Sequence, residues 1–160
     1  MSQRNRWGLP LLLVITVALT MVGCNRKTIY SHYEHTTVDG WEKTDTLEFC
    51  VPKVEKAGRY REEIGLRTNI SYPFTGLTMI VEQQVMPSGL LRSDTLHARL
   101  MDDEGNVQGR GVSYYQYNYE LCDLQLQEND SLTVRIRHHM LRQLLPGVTD
   151  IGVTLRRIAP

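Results

Sequence analysis

The chain has 160 residues, 41% of them hydrophobic and 22% charged, and its 18 basic and 18 acidic side chains give a formal net charge of zero at pH 7. This balance is typical of a globular protein and excludes a chain kept disordered by its charge. The sequence contains no block of Lys and Arg residues, so it predicts no nucleic-acid partner. Its length suffices for one domain with its own hydrophobic core.

Residues 1–23 have the pattern of an export signal peptide. Arg4 and Arg6 precede an uncharged apolar stretch over residues 11–22, as the basic and apolar regions of such signals do. Gly23 and Cys24 follow, and a small residue before a cysteine is typical of the cleavage site of bacterial lipoproteins. The sequence therefore predicts cleavage before Cys24, whose thiol would carry a covalent lipid. No cofactor is predicted apart from that lipid.

An uncleaved transmembrane anchor is the alternative to a lipoprotein signal. The uncharged segment over residues 7–23 is slightly shorter than the ~18 residues that usually span a bilayer, and Pro10 lies inside it. Both features favour cleavage and lipidation. Because two or three acyl chains hold a domain at a membrane almost permanently, we expect the membrane to be the first partner of this protein.

The segment after the predicted lipid is polar, and we expect residues 24–40 to be a tether and residues 41–160 to be the folded domain. Leu47, Phe49 and Val51 alternate with polar neighbours, a pattern that predicts a half-buried strand. Similar alternation predicts further strands at residues 59–67, 77–86, 94–101, 124–126, 132–136 and 151–155. Glu62 is the one polar residue on the apolar face of its strand.

Short alternating strands separated by turns predict an all-β fold. We expect an antiparallel β-sandwich, and a jelly-roll-like variant is compatible with the same pattern. Met140, Leu144 and Leu145 fall at helical spacing. One or two helical turns are therefore predicted over residues 139–145, ended by the Pro-Gly pair that follows them.

Cys50 and Cys122 are the two cysteines outside the predicted signal peptide and lipid site. An exported chain meets an oxidising compartment, where paired thiols persist as disulfides. The sequence does not show whether the two Cα atoms come within bonding range. It leaves two alternatives open, a disulfide between Cys50 and Cys122 or two independent, partly buried thiols.

Neither a catalytic nor a metal-binding constellation is predicted. The run Asp102-Asp103-Glu104 lacks the alternating oxygen ligands of a calcium loop and fits a hairpin turn. His32 and His35 have metal-ligand spacing but no third ligand nearby. The sequence has neither a serine nucleophile elbow nor a glycine-rich phosphate loop. We therefore expect a protein that is not an enzyme.

A run of tyrosines is the best candidate for a binding surface. Tyr114, Tyr115, Tyr117 and Tyr119 follow one another closely, and the last three would share one face of a strand. Tyrosines in a row stack on sugar rings or anchor a protein partner. The competing interpretation is that they cover the core of the sandwich, as aromatic residues in strands commonly do. The loop that begins at Tyr72 is a second candidate contact.

Several short motifs occur in a fixed order after the predicted lipid site. They are Trp41, Asp45-Thr46-Leu47-x-Phe49-x-Val51-Pro52, Leu66-Arg67-Thr68-Asn69-x-x-Tyr72-Pro73-x-x-Gly76-Leu77, Asp94-Thr95-Leu96, Leu100-x-Asp102-x-x-Gly105 and Leu145-Pro146-Gly147-Val148-x-Asp150-Ile151-Gly152-Val153. Over residues 24–158 this pattern resembles the GldH family of gliding-motility lipoproteins from the Bacteroidetes. The resemblance implies a lipoprotein of the cell envelope associated with gliding motility and linked protein secretion. It implies no catalytic residue.

The residues after Cys24 indicate a destination. Asn25, Arg26 and Lys27 do not form the acidic run that resembles a surface-export signal in this phylum. Asn25 is also not the aspartate that commonly retains lipoproteins at the inner membrane. We therefore expect the outer membrane, on its periplasmic face.

Two functions fit these observations. The first is a non-catalytic interaction module that docks on envelope proteins of a motility or secretion assembly through the tyrosine run and the Tyr72 loop. The alternative is a glycan-binding envelope lipoprotein that uses Tyr115, Tyr117 and Tyr119 as a stacking platform. Burial of these tyrosines would remove the platform and leave the first function.

Overall fold

The computed structural model describes residues 28–159. The predicted signal peptide and Cys24 lie outside these residues. Ten strands make up most of the described chain: β1 Thr28–His35, β2 Trp41–Glu42, β3 Leu47–Val51, β4 Gly58–Asn69, β5 Gly76–Met86, β6 Leu90–Arg99, β7 Tyr114–Leu126, β8 Ser131–His138, β9 Leu144–Leu145 and β10 Val148–Ala159. None of residues 28–159 lies in a helix with the length and apolar character of a membrane span.

Two four-stranded sheets form a sandwich, and every strand pair within them is antiparallel. Sheet I has the order β1-β10-β4-β7 and sheet II the order β3-β8-β5-β6, while β2 and β9 form a separate pair. The predicted antiparallel β-sandwich is confirmed. Without the two-residue strands, the eight long strands have the sheet order of a jelly roll, in which only β5 and β6 are consecutive strands of one sheet. The jelly-roll-like variant is therefore the one observed.

Alternation of apolar and polar side chains places the core between the two sheets. Successive residues of β5 and β8 are buried and half-exposed in strict turn, because neighbouring side chains of a strand point to opposite faces. Ile64 and Val153 of sheet I and Val81 and Val134 of sheet II are all fully buried. Each such side chain contributes about 1.5–3 kcal/mol when it leaves water. The strands predicted from alternation correspond to β3–β8 and β10.

The predicted tether is wrong over residues 28–35, which form β1. This strand pairs along its length with β10, from Thr28 opposite Arg156 to His35 opposite Asp150. Its polar sequence reflects its place at an edge of sheet I, where most of its residues are exposed. Because edge strands tolerate charged and polar side chains that central strands do not, polarity alone suggested a tether.

The Tyr33 side chain of β1 packs on the outer face of sheet I and holds this edge strand in place. Its ring lies over Gly65 and Gly152, which stand opposite each other on β4 and β10. A Cβ at Gly152 would be 2.6 Å from the ring. The guanidinium of Arg67 lies 4.1 Å from the ring centroid, a cation–π distance, and Gln116 donates to the hydroxyl at 3.2 Å. Two glycines in central strands therefore make room for this tyrosine.

The predicted helical turns over residues 139–145 are also wrong. The amide of His139 donates to the carbonyl of Thr78 at 2.8 Å, and the amide of Lys43 donates to the carbonyl of Gln143 at 2.7 Å. The last two residues of the segment form β9 against β2. Hydrogen bonds to neighbouring strands thus replace the bonds four residues apart that a helix would make.

The close contact between the Tyr33 ring and Gly152 leads to a prediction about Gly152→Ala. The added methyl group must displace the tyrosine ring, so we expect the free energy of unfolding to fall by about 1–3 kcal/mol. In a Tyr33→Ala background the same substitution meets no ring, and alanine is the better strand residue. There it is expected to be neutral or stabilising.

Urea unfolding of the four proteins of this double-mutant cycle measures the coupling between the two sites. An equal cost of Gly152→Ala in both backgrounds would contradict the role given to Tyr33.

Candidate functional site

The jelly-roll connections place the loops at two ends of the sandwich. At one end, sheet I has a row in which His35 stands opposite Asp150, Asp150 opposite Arg67, and Arg67 opposite Gln116. Four connections extend beyond this row, and we call them the distal loops: residues 36–40, 70–75, 100–113 and 139–147.

Each distal loop carries an apolar side chain that is open to solvent. The exposed fractions are 105% for Val38, 75% for Ile70, 86% for Val112 and 99% for Leu141. Tyr114, at the start of β7, adds a ring that is 63% exposed. One exposed apolar residue is ordinary on any protein, but one on each of four loops at the same end makes this end the candidate contact surface.

Tyr72 holds its distal loop from inside. The side chain of Asn69 accepts the amide of Ser71 at 2.8 Å, which closes an Asx turn. The Tyr72 hydroxyl donates to the carbonyl of Gly76 at 2.9 Å. Burial raises the pKa of Tyr72. The tyrosine named from the sequence as a contact is therefore a buried support of an exposed loop.

Gly147 joins two of the sequence motifs. Its φ of +83° lies in the left-handed region that glycine adopts without steric cost, and a Cβ there would collide with the backbone of Tyr72. The carbonyl of Gly147 accepts the amide of Asn69 at 2.8 Å. The motifs that end at Leu77 and begin at Leu145 therefore form one contact between two distal loops.

The tyrosine run lies on β7, but its shared face points inward. Tyr115, Tyr117 and Tyr119 alternate with more exposed residues, and Tyr117 is only 6% exposed. The rings of Tyr117 and Tyr119 are stacked with 6.3 Å between centroids, and the Tyr119 hydroxyl donates to the carbonyl of Arg99 at 2.7 Å. Burial raises the pKa of both. These side chains cover the core between β7 and β6 and do not form a three-ring sugar platform.

Two clefts flank the distal loop over residues 100–113. The smaller, of about 200 Å³, is lined mostly by aromatic and apolar side chains, including Ile70, Tyr72, Phe74, Val107, Tyr115 and Tyr117. The larger, of about 580 Å³, is lined mostly by polar side chains: Arg99, Gln108, Arg110, Gln116, Asn118 and Tyr119, with Tyr117. Arginine and amide donors suit carboxylate or carbonyl groups of a partner.

Cys50 and Cys122 are both free thiols, so the disulfide alternative is wrong. Cys50 is exposed on β3 of sheet II, whereas Cys122 lies on β7 of sheet I and contacts Gln83 at 3.7 Å. One thiol faces solvent and the other faces the space between the sheets. Burial raises the pKa of Cys122 to about 12, which keeps that thiol protonated and weakly reactive.

Glu62 is a feature whose role the sequence did not reveal. It is fully buried between the sheets, where it accepts hydrogen bonds from Gln83 at 3.0 Å and from the Cys122 thiol at 3.7 Å. Gln83 also donates to Asp94 at 3.2 Å. Burial raises the pKa of Glu62 to about 7, because removal from water disfavours the charged form. The signal was its position on an apolar strand face.

The comparisons with known proteins bear on the whole described domain. Residues 28–155 match the family model described as GldH lipoprotein. The chain belongs to this family. The gliding motility lipoprotein GldH of Flavobacterium johnsoniae is 22% identical over 152 residues, which cover 91% of this chain and 94% of that relative. The resemblance drawn from the motifs is thus confirmed, and GldH-family membership supports a lipid-anchored place in the cell envelope.

Solved structures show weaker likenesses. A GH115 4-O-methyl-α-glucuronidase with specificity for decorated arabinogalactans has a TM-score of 0.46 at 14% identity, covering 84% of this chain and 18% of that chain. A family 35 carbohydrate binding module from Clostridium thermocellum has a TM-score of 0.40 at 14% identity, covering 77% of this chain and 86% of that chain. The assignment to the GldH family rests on the sequence matches.

Burial of Glu62 leads to a prediction about pH. Its pKa is about 7 in the folded protein and about 4.3 when unfolded, so the folded state binds more protons between these values. The free energy of unfolding therefore falls as pH rises from about 4.5 to 7, by on the order of 3 kcal/mol. Glu62→Gln, which is permanently neutral, should lose this dependence, as measured by urea unfolding across that range.

Two comparisons make this measurement specific. Burial lowers the pKa of His138, so this histidine makes the free energy of unfolding fall as pH falls, opposite to the effect of Glu62. The effect of His138 is the same in the wild type and in Glu62→Gln and therefore cancels when the two are compared. The matched control is Glu63→Gln, since Glu63 is the neighbouring carboxylate and pairs with Arg156 on the outer face. Equal pH dependence of the wild type and Glu62→Gln would contradict the assignment.

Proposed function

We propose that this GldH-family protein is a lipid-anchored, non-catalytic component of a gliding-motility or secretion assembly, held at the periplasmic face of the outer membrane and docked on another envelope protein through its distal loops. The observation that carries the proposal is the family match over residues 28–155. The exposed apolar side chains of the distal loops supply the contact surface.

The anchor is the first part of the proposal. Cys24 follows an apolar segment and Gly23, and family membership supports its lipidation. The described domain begins at Thr28, so the lipid and the first strand are four residues apart. A domain attached in this way stays at the membrane through its acyl chains.

The docking surface is the second part. Interfaces gain most of their stability from a few apolar or aromatic side chains that become buried, surrounded by polar groups. The distal loops expose four apolar side chains that a partner could bury: Val38, Ile70, Val112 and Leu141. The arginine-lined cleft beside residues 100–113 provides polar groups at the rim.

Replacement of Cys24 tests the anchor. We expect Cys24→Ala to move the full-length protein from the detergent-rich to the aqueous phase of a phase-separation assay, because no acyl chain can then be attached. An unchanged partition would favour the uncleaved transmembrane anchor and would overturn the lipid anchor.

Charge introduced on the distal loops tests the docking surface. In the double variant Val112→Glu, Leu141→Glu we expect the yield of crosslinked envelope proteins to fall about tenfold, since loss of two buried apolar contacts costs 1.4 kcal/mol or more. Both side chains are exposed, so the fold should survive. The matched control is Gln125→Glu, an exposed residue of β7 outside the distal loops.

The wild type and the control should recover the same envelope proteins, identified by mass spectrometry after crosslinking in intact membranes. Recovery that does not change in the double variant would remove the distal loops from the interface. Recovery by the wild type of nothing beyond an unrelated lipoprotein would overturn the docking function.

A further inference from the structure

A second group of exposed apolar side chains lies at the other end of the sandwich. Three of them flank the turn between β5 and β6: Met86 is 45% exposed, Leu90 65% and Leu91 68%. We call residues 86–91 the hairpin tip. Ile29, at the start of β1, is 41% exposed. The distal loops do not include any of these residues.

The strand ladders show that the hairpin tip and the start of the domain share one end. In sheet II, Val51 stands opposite Leu132, Leu132 opposite Val85, and Val85 opposite Leu90. The chain passes between the sheets at this end through residues 52–57 and 127–130, which are joined by hydrogen bonds. It is therefore the end at which β4 begins and β7 stops.

In sheet I, Thr28 lies near the same end. Thr28 stands opposite Arg156, and Arg156 stands opposite Arg61, three residues after the start of β4. The first described residue and the hairpin tip are therefore at the same end, which we call the proximal end. Neighbouring strands are about 4.8 Å apart, so β3 and β6 at the two edges of sheet II are separated by about 14 Å.

The chain between the predicted lipid and β1 is too short to hold the proximal end away from the membrane. Four Cα-to-Cα steps separate Cys24 from Thr28, and at full extension they span at most about 14 Å. This step rests on the proposed lipid anchor at Cys24. With that anchor in place, the surface nearest to the bilayer is the one that carries the hairpin tip.

The hairpin tip is built as a closed turn with apolar side chains on its outside. The amide of Gly89 donates to the carbonyl of Val85 at 2.8 Å. The Ser88 hydroxyl also donates to that carbonyl, at 3.3 Å, and the amide of Leu90 donates to the Ser88 hydroxyl at 3.4 Å. Backbone groups bonded within the turn reduce the cost of entering an apolar medium.

Charged side chains of both signs lie at the proximal end of the sandwich. Lys53, Lys56 and Arg59 are exposed near the proximal end, together with Glu55 and Glu128. The small excess of positive charge is compatible with anionic lipid headgroups, but it is too small to act alone. The apolar side chains of the hairpin tip are therefore the part that would enter the membrane.

We propose that the hairpin tip is a second membrane contact, in which Met86, Leu90 and Leu91 insert into the interfacial layer of the bilayer that carries the Cys24 lipid. Together the acyl chains and the hairpin tip would hold the sandwich at two points. The long axis of the sandwich then points away from the membrane, and the distal loops face the periplasm.

A fluorescent label tests this contact in the lipidated protein that results from cleavage before Cys24. The label is attached at Leu91→Cys in a Cys50→Ser background, because Cys50 is the exposed thiol. The protein is placed in vesicles of phosphatidylethanolamine and phosphatidylglycerol that contain a nitroxide-labelled lipid as quencher. The matched control carries the label at Val112→Cys on a distal loop. We expect the label at position 91 to lose most of its fluorescence and the label at position 112 to keep it.

Each other outcome overturns the proposal. A label at position 91 that stays in water, on a protein that stays in the vesicles, removes the hairpin contact and leaves the lipid anchor intact. A label at position 91 whose fluorescence reports apolar surroundings but is not quenched by the labelled lipid shows that a protein covers the hairpin tip. Failure of the protein to associate with vesicles overturns both the anchor and the contact.

A second variant gives an independent measurement. The lipidated double variant Leu90→Glu, Leu91→Glu should transfer between vesicles about tenfold faster than the wild type, as expected for loss of about 1.4 kcal/mol of membrane affinity. Leu141→Glu on a distal loop is the control and should transfer at the wild-type rate. Equal transfer rates of all three proteins would contradict the hairpin contact.

Discussion

The structure depends on the burial of two apolar sheet faces against each other by a chain that changes sheet at almost every connection. Of the links between the long strands, only β5–β6 stays within one sheet. All other links must run around an end of the sandwich, because a connection through the core would bury unpaired backbone groups. The loops are therefore gathered at two ends, and the faces of the sheets between them remain regular.

This separation gives the GldH-family protein two distinct ends, each with its own exposed apolar side chains. The proximal end begins four residues after Cys24 and carries the one hairpin that stays within a sheet. The distal end carries the motif-bearing loops, one of which is supported by the buried side chain of Tyr72. The proposed membrane contact at the proximal end and the proposed protein contact at the distal end therefore do not overlap. An anchor at the proximal end would leave the distal loops open to a partner.

Two contacts of this sandwich do not follow from the alternation of apolar and polar side chains along its strands. Tyr33 covers a pair of opposed glycines on the outside of sheet I, so an edge strand that is polar in sequence is held by an aromatic ring. Glu62 lies inside with Gln83 and Cys122, where a carboxyl group with a raised pKa links the two sheets through hydrogen bonds. A buried polar group of this kind costs stability unless it is satisfied, and it favours one particular alignment of the sheets.

The sequence by itself determined the all-β class, the position of the main strands and the family, because period-two alternation and the order of short motifs are local properties of the chain. It predicted that Tyr115, Tyr117 and Tyr119 share a face, but only the packing of β7 against β6 decided that the face points inward. The sequence did not reveal strand β1 or the extended form of residues 139–145, since edge pairing and hydrogen bonds to distant strands are decided by residues far away in the sequence. The two groups of exposed apolar side chains, and the ends at which they lie, exist only in the tertiary structure, because the jelly-roll order brings loops together that are far apart along the chain.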